Sequence, residues 1–294
     1  MQRKARSYYG RPILKPHVWQ DYIAGYFFLG GLAGASAALG AAAAAQNNDS
    51  LARSCNLTAG GGAAVSAVLL IADLGNPERF LNMLRVIKPT SPMNVGTWIL
   101  SAFGVSSAFA ARNAFFRGSG RSAAATTAGV LGIPLATYTA VLIADTAVPV
   151  WHEAHRTLPF VFAASAAMSA GAWNSLFVSH RDARAARRLT LVAGVCELAA
   201  HRRMVHQLGA LLGEPYRIGR AGAYAKAARA LTTAAVITTA TLGRRYRTFA
   251  ALGSLAALAG AACERFSIFH AGTQSALDPK YVVEHQRSKG NHAL

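Results

Sequence analysis

The feature that most constrains this chain is the length of its uncharged runs. Residues 22–48, 54–72, 89–111, 122–144 and 157–180 contain no Asp, Glu, Lys or Arg, and about 20 helical residues suffice to cross a hydrocarbon core ~30 Å thick. Three further apolar segments are interrupted: 189–212 by Glu197, His201, Arg202 and Arg203, 224–243 by Lys226 and Arg229, and 248–270 by Glu264 and Arg265. Strands of a membrane barrel would be about 10 residues long with alternating polarity, and nothing here alternates. The reading is therefore all-α: a polytopic membrane protein with eight transmembrane helices that fill the chain and leave no room for an independent soluble domain. Only 14% of the 294 residues are charged, against about a quarter in soluble domains.

Small residues dominate the spans. Gly30 and Gly34 stand in GxxxG spacing after Gly25, a pattern that lets helix backbones approach closely. A nucleotide-binding glycine loop would need a preceding strand, and none is expected. Residues 1–20 are basic with no apolar core of their own, and the span that follows is too long for the apolar region of a signal peptide, so the first helix is expected to be retained. Arginine in the short connections favours cytoplasmic odd-numbered loops and termini on the outer face, although both tails are themselves basic. The net charge of +18 is spread over both faces, which fits loop anchoring and a docking surface rather than nucleic acid.

Ionisable groups inside spans are costly and usually face a cavity, a partner or a conduction path. Asp21, Asp73 and Asp145 fall near expected helix ends, where hydration lowers that cost, so structural and functional roles both stay open. Glu197 lies deeper, with His201 at i+4; it reads either as a structural ion pair with His201, Lys226 or Arg229, or as a proton path. Glu264 beside Arg265 reads as an interfacial pair. Haem ligation would need pairs of histidines on facing helices, whereas His17, His152, His155, His180, His285 and His292 fall in tails and loops. Cys55, Cys196 and Cys263 form no CxxC cluster. No haem, no iron–sulfur cluster and no other metal site is expected in this chain.

The most informative stretch is 71–100, IADLGNPERFLNMLRVIKPTSPMNVGTWIL. A carboxylate, Asp73, closes a helix; a short amphipathic segment, 80–87, and a turn, 89–92, precede the next one. The physical reading is an ordered connection lying on the membrane surface, either a simple interfacial loop or a cover over a polar pocket.

DLGNPERF followed by PTSPMNVGTW resembles the signature of the NrfD/polysulfide-reductase family of membrane subunits, the quinone-binding anchors of iron–sulfur and molybdopterin oxidoreductases. WQDYIAGYFFLGGLAGAS (19–36), TYTAVLIADTAVPVWHEAHRTLPFVFAASAAMSAGA (137–172) and RFSIFHAGTQSALDPKYVVEHQR (265–287) resemble it in the expected order. The resemblance implies two four-helix bundles: a basic tail at 1–19, a first bundle at 20–146 with a quinone pocket beneath a surface loop at 73–94, a second bundle at 147–270, and a C-terminal tail at 271–294. It implies that Asp73 and Tyr138 do the proton and hydrogen-bond chemistry at a menaquinone or ubiquinone head group, with Tyr26 a third quinone contact by position. Thr139 and Ala140 stand where many relatives have a glycine, a departure that bears on the pocket's shape.

Arg79, Arg85 and Lys88 would face a ferredoxin-like iron–sulfur subunit, itself joined to a molybdopterin or other catalytic subunit. Glu197 and His201 stand as a candidate proton path. The chain would then be a respiratory anchor in a bacterial inner membrane, surrounded by lipid and not catalytic alone. A secondary transporter should show broken helices in corresponding positions of two repeats, which this sequence lacks. A purely structural anchor would share every other feature and differ only in binding no quinone.

Overall fold

The computed structural model describes residues 13–14, 19, 21–73, 82–116 and 120–291, with side chains described as far as 286. Its elements are α1 Asp21–Ala45, α2 Asp49–Asp73, α3 Pro92–Phe116, α4 Ala123–Ala144, the short α5 Pro149–Glu153, α6 Leu158–Leu176, α7 Arg184–Leu212, α8 Gly219–Ala240, α9 Arg247–Leu277 and α10 Lys280–Asn291. No strand occurs among the described residues.

Five of these helices, α1, α2, α3, α4 and α9, are long and apolar enough to cross a membrane. The other three long helices differ in composition. α7 and α8 carry exposed Arg202, Arg203, Lys226 and Arg229, while α6 has no charged side chain but is rich in Ala and Ser. Even α6, with 19 residues, is about 28 Å long at 1.5 Å per residue.

The burial pattern is that of a protein whose solvent is lipid. Inside, many Ala, Gly and Ser pack among a few large side chains such as Phe27, Phe103, Phe162 and Trp151; outside stand Val65, Val68, Val105, Phe109, Val130, Ile133, Phe160, Val192, Leu252 and Leu255. In water such a surface would be an aggregation site, whereas against acyl chains it carries no penalty, and small interior residues give the close backbone packing that drives association there. Of the GxxxG pair, Gly34 is the residue at the crossing: a Cβ there would lie 2.5 Å from the carbonyl oxygen of Gly132 on α4, while one on Gly30 would meet only ordinary contacts. Any side chain at Gly34 or Gly132 would push α1 off α4.

α1 is the central helix, packed on α2, α4, α6 and α9. α3 bridges α2 and α4; in the second half α6 packs on α7 and α9, and α8 on α9 and α7. Two aromatic rings are seated on glycines where the chain turns. Tyr138 lies over Gly96, and Trp151 of α5 lies over Gly272 while donating its indole N–H to the Ile268 carbonyl at 2.8 Å.

Two expectations need correction. Helix α7 begins at Arg184, not near 189, so Arg184, Arg187 and Arg188 belong to its first turns rather than to a loop. The segment 271–294, expected as a tail, contains the end of α9 and the whole of α10, held to the α7–α8 connection by Lys280–Glu214 at 2.6 Å and to α5 by His285–Glu153 at 3.1 Å. Cys55 is buried within α2.

Candidate functional site

The ends of α1, α2, α3 and α4 that gather on one face carry the expected quinone residues. Tyr138, two turns from the end of α4, is buried, and its hydroxyl donates to the carbonyl of Pro92, the first residue of α3. Its ring occupies the space a Cβ on Gly96 would need, 1.9 Å from ring atom Cζ. Only glycine at 96 admits the tyrosine. Tyr26, one turn into α1, is 2% exposed and is an electrostatic neighbour of Tyr138. Asp73, the last residue of α2, is half-buried and engaged with a partner. Asp73 and Pro92 thus bracket the connection that arrives at the Tyr138 hydroxyl.

The described part of that connection is tied down by Asn94. Its amide donates to the carbonyls of Met83 and Val86, at 3.0 and 2.7 Å, and its carbonyl oxygen accepts from the Lys88 N–H at 2.7 Å. The Trp98 indole donates to Val86 as well. Arg85 and Lys88 are exposed on this surface. Arg79 lies outside the described residues, as do positions 80 and 81 of the amphipathic segment 80–87. Sequence reasoning assigned no role to Asn94 or Gly96, although both stand in the MNVGTW string quoted for the resemblance.

The second polar centre lies between α7 and α9. His201 Nδ1 is 2.6 Å from Glu264 Oε1, with both side chains almost wholly buried. Glu197, one turn earlier on the same face of α7, is 3% exposed and leaves carboxylate atom Oε2 without a hydrogen-bond partner. Arg265 is 1% exposed; its Nη2 donates to the Phe162 carbonyl at 2.8 Å and its guanidinium lies 3.8 Å from the Phe162 ring centroid, while Nε and Nη1 have no partner. Tyr216, from the α7–α8 connection, stands edge-on to His201. The expected interfacial Glu264–Arg265 pair is therefore overturned: consecutive helical residues point to different faces, so Glu264 turns to α7 and Arg265 to α6. Lys226 and Arg229, weighed as partners of Glu197, are exposed on α8.

A large cavity of about 880 Å3 lies away from both centres, towards the other end of α2, lined by Phe28, Leu32, Arg53, Leu57, Trp173 and Phe177 among others. It is not adjacent to Tyr138.

The family model described as polysulphide reductase, NrfD, matches residues 13–276. The chain belongs to the NrfD family. The match covers nearly the whole chain, including both polar centres, and makes the apolar outer surface that of a membrane protein of the NrfD family. No curated protein matches the chain.

Proposed function

We propose that this NrfD-family chain is the membrane anchor of a respiratory oxidoreductase complex, exchanging electrons between a membrane quinone and an iron–sulfur subunit bound on the Asp73–Pro92 face. All eight long helices cross the bilayer in two four-helix bundles, α1–α4 and α6–α9. The observation that carries the reading is the Tyr138 hydroxyl, buried, seated by Gly96, and aimed where the α2–α3 connection meets α3. A quinone carbonyl needs a hydrogen-bond donor, and the hydroxyl loses no hydrogen bond in exchanging the Pro92 carbonyl for it. The quinone accepts two electrons and two protons, or releases them, and Asp73 is the carboxyl group placed to carry a proton between the surface and the head group. Tyr26 closes the α1 side.

The electrons come from or go to clusters in the partner, with this chain holding no haem or cluster of its own. Exposed Arg85 and Lys88, with Arg79, give that partner a cationic face, and charge-steered docking weakens with salt. A molybdopterin or other catalytic subunit completes the complex, in a bacterial inner membrane. Glu197, His201 and Glu264 form a proton path in the second bundle, supported by buried polar atoms without protein partners, a setting suited to internal water.

The test is Asp73→Asn and Tyr138→Phe in the assembled complex. Each change preserves volume and removes the exchangeable proton or the donor. Quinone-linked turnover falls at least ~10-fold, a conservative figure for loss of acid–base help, while reduction or oxidation of an artificial dye by the partner is unchanged. Full quinone activity in both variants would overturn the site and direct attention to the 880 Å3 cavity. The eight-span reading has its own test in Cys196, exposed on the outer face of α7: a membrane-impermeant maleimide leaves it unlabelled in intact membranes and labels it after denaturation in SDS.

A further inference from the structure

α7 starts at Arg184 with no side chain capping its first turn. A helix start presents unpaired N–H groups and the positive end of the helix dipole, so it favours anions and disfavours cations. This one nevertheless carries Arg184, Arg187 and Arg188. The α8–α9 connection adds a fourth guanidinium, Arg244, whose backbone carbonyl lies 3.1 Å from the His180 ring nitrogen Nε2. The four arginines, with Leu191 and Thr239, line a recess of about 320 Å3.

Among the described residues none of the four forms an ion pair with a carboxylate. Arg187 is half-buried and donates to the His180 carbonyl at 2.6 Å, which fixes its head, while Arg184, Arg188 and Arg244 are exposed. Asp182, nearby in sequence, accepts from the Ser179 hydroxyl at 2.8 Å. Among the described residues the fold thus gathers four like charges and a positive helix end and pairs none of the four with a carboxylate; Arg184 also borders a neighbouring recess that holds Asp49 and Asp182.

Beside the recess the surface becomes apolar. Val192 and Val195 follow Arg188 at i+4 and i+7, on one face of α7, and all three are exposed. Ile237 is exposed on α8, the helix packed beside α7. A charged head over an apolar stripe has the shape of one class of ligand.

We propose that this recess binds the phosphate of an anionic glycerophospholipid, with an acyl chain lying along the outer faces of α7 and α8. Guanidinium forks match phosphate oxygens in geometry and charge, and basic pockets between membrane helices select anionic headgroups. The proposal rests on α7 and α8 lying in the bilayer, as in the eight-span reading, and is independent of the quinone site, which is at the other end of the molecule. Inorganic phosphate shares the headgroup chemistry but has no acyl chain, and that difference separates the two sources.

The full chain, purified in mild detergent, is titrated with phosphatidylglycerol, phosphatidylethanolamine or inorganic phosphate, and bound adducts are counted by native mass spectrometry. Phosphatidylglycerol is retained in preference to phosphatidylethanolamine. The triple variant Arg184→Gln, Arg188→Gln, Arg244→Gln lowers that retention at least ~10-fold, since each surface arginine adds to the attraction of an anionic headgroup. Lysine at the same three positions restores most of it, which separates charge from folding, and Arg217→Gln with Arg220→Gln, near the other end of α7, changes nothing. Equal retention of the two lipids, or a glutamine triple that binds phosphatidylglycerol like the native chain, would overturn the proposal. So would displacement of the lipid by equimolar inorganic phosphate, which would make this a free-phosphate site. Unchanged lipid retention with loss of a co-purified subunit would assign the arginines to an acidic protein partner instead. A failure of α7 to lie in the bilayer would appear separately, as maleimide labelling of Cys196 in intact membranes.

Discussion

The Tyr138 centre sits at helix ends and the His201–Glu264 centre sits in the middle of two helices, and the two handle buried polarity in opposite ways. Tyr138 is neutral, and its hydroxyl is satisfied by a backbone carbonyl that a ligand can replace. In the second centre two carboxylates, an imidazole and a guanidinium are all buried: His201 pairs with Glu264, Arg265 turns to the Phe162 carbonyl, and atoms of Glu197 and Arg265 are left without partners. A neutral donor at a helix end near the membrane surface can be lent to a substrate without stranding a charge. A charge deep between helices has no bulk water to return to, so it depends on its neighbours and on whatever internal water they hold, and removing its partner strands it.

The comparison is broken or sharpened most strongly at Glu264. Glu264→Leu leaves the buried His201 without its carboxylate, and the expected loss of stability is about 3–5 kcal/mol for one partner of a buried pair, read as the denaturation midpoint in detergent. Adding His201→Leu to the same chain should recover much of that loss, because an apolar pair of similar volume needs no desolvation.

Next comes Gly96→Ala, where the new Cβ would overlap the Tyr138 ring. Overpacking of this kind costs about 1–3 kcal/mol, and because the ring must shift, quinone-linked turnover falls with it. A Gly96→Ala chain with full turnover would show that the position of the hydroxyl does not matter. Smaller again is the stability effect of Tyr138→Phe, expected within about 1 kcal/mol since one hydrogen bond to a backbone carbonyl is lost; its effect belongs to turnover. If Tyr138→Phe destabilised the chain more than Glu264→Leu, the contrast between a lent and a committed polar group would be wrong.

The smallest effect is expected at the surface pair that holds α10. Lys280 and the Tyr281 hydroxyl keep the Glu214 carboxyl below its usual range, so the ionised form is the one the folded chain favours. That contribution is present at neutral pH, above the unfolded carboxyl's pKa, and is lost as pH falls through the lowered folded value. Protease protection of 280–291 should therefore decline on acidification, and Glu214→Gln should weaken it at neutral pH and flatten its pH dependence.

Much of this protein is written in the order of its residues. Uncharged runs bounded by Asp, Arg and Lys mark five of the long helices to within five residues at either end, because lipid leaves the backbone no alternative to satisfying itself within each segment. The MNVGTW string and Tyr138 are legible as parts of one family signature. What the tertiary structure decided is which groups meet. Gly96 and Tyr138 are 42 residues apart in the sequence, and no local pattern says that one is hollow so that the other can fill it.

Glu264 and Arg265, adjacent in the sequence, read as a pair, yet the 100° step of a helix sends them to different neighbours, one to His201 and one to Phe162. The gathering of Arg184, Arg187, Arg188 and Arg244 likewise depends on the start of α7 and the α8–α9 connection arriving side by side. Local sequence fixes where a helix runs, since its hydrogen bonds are internal; only packing fixes the rotation of each helix about its axis, and that rotation decides which polar groups face one another.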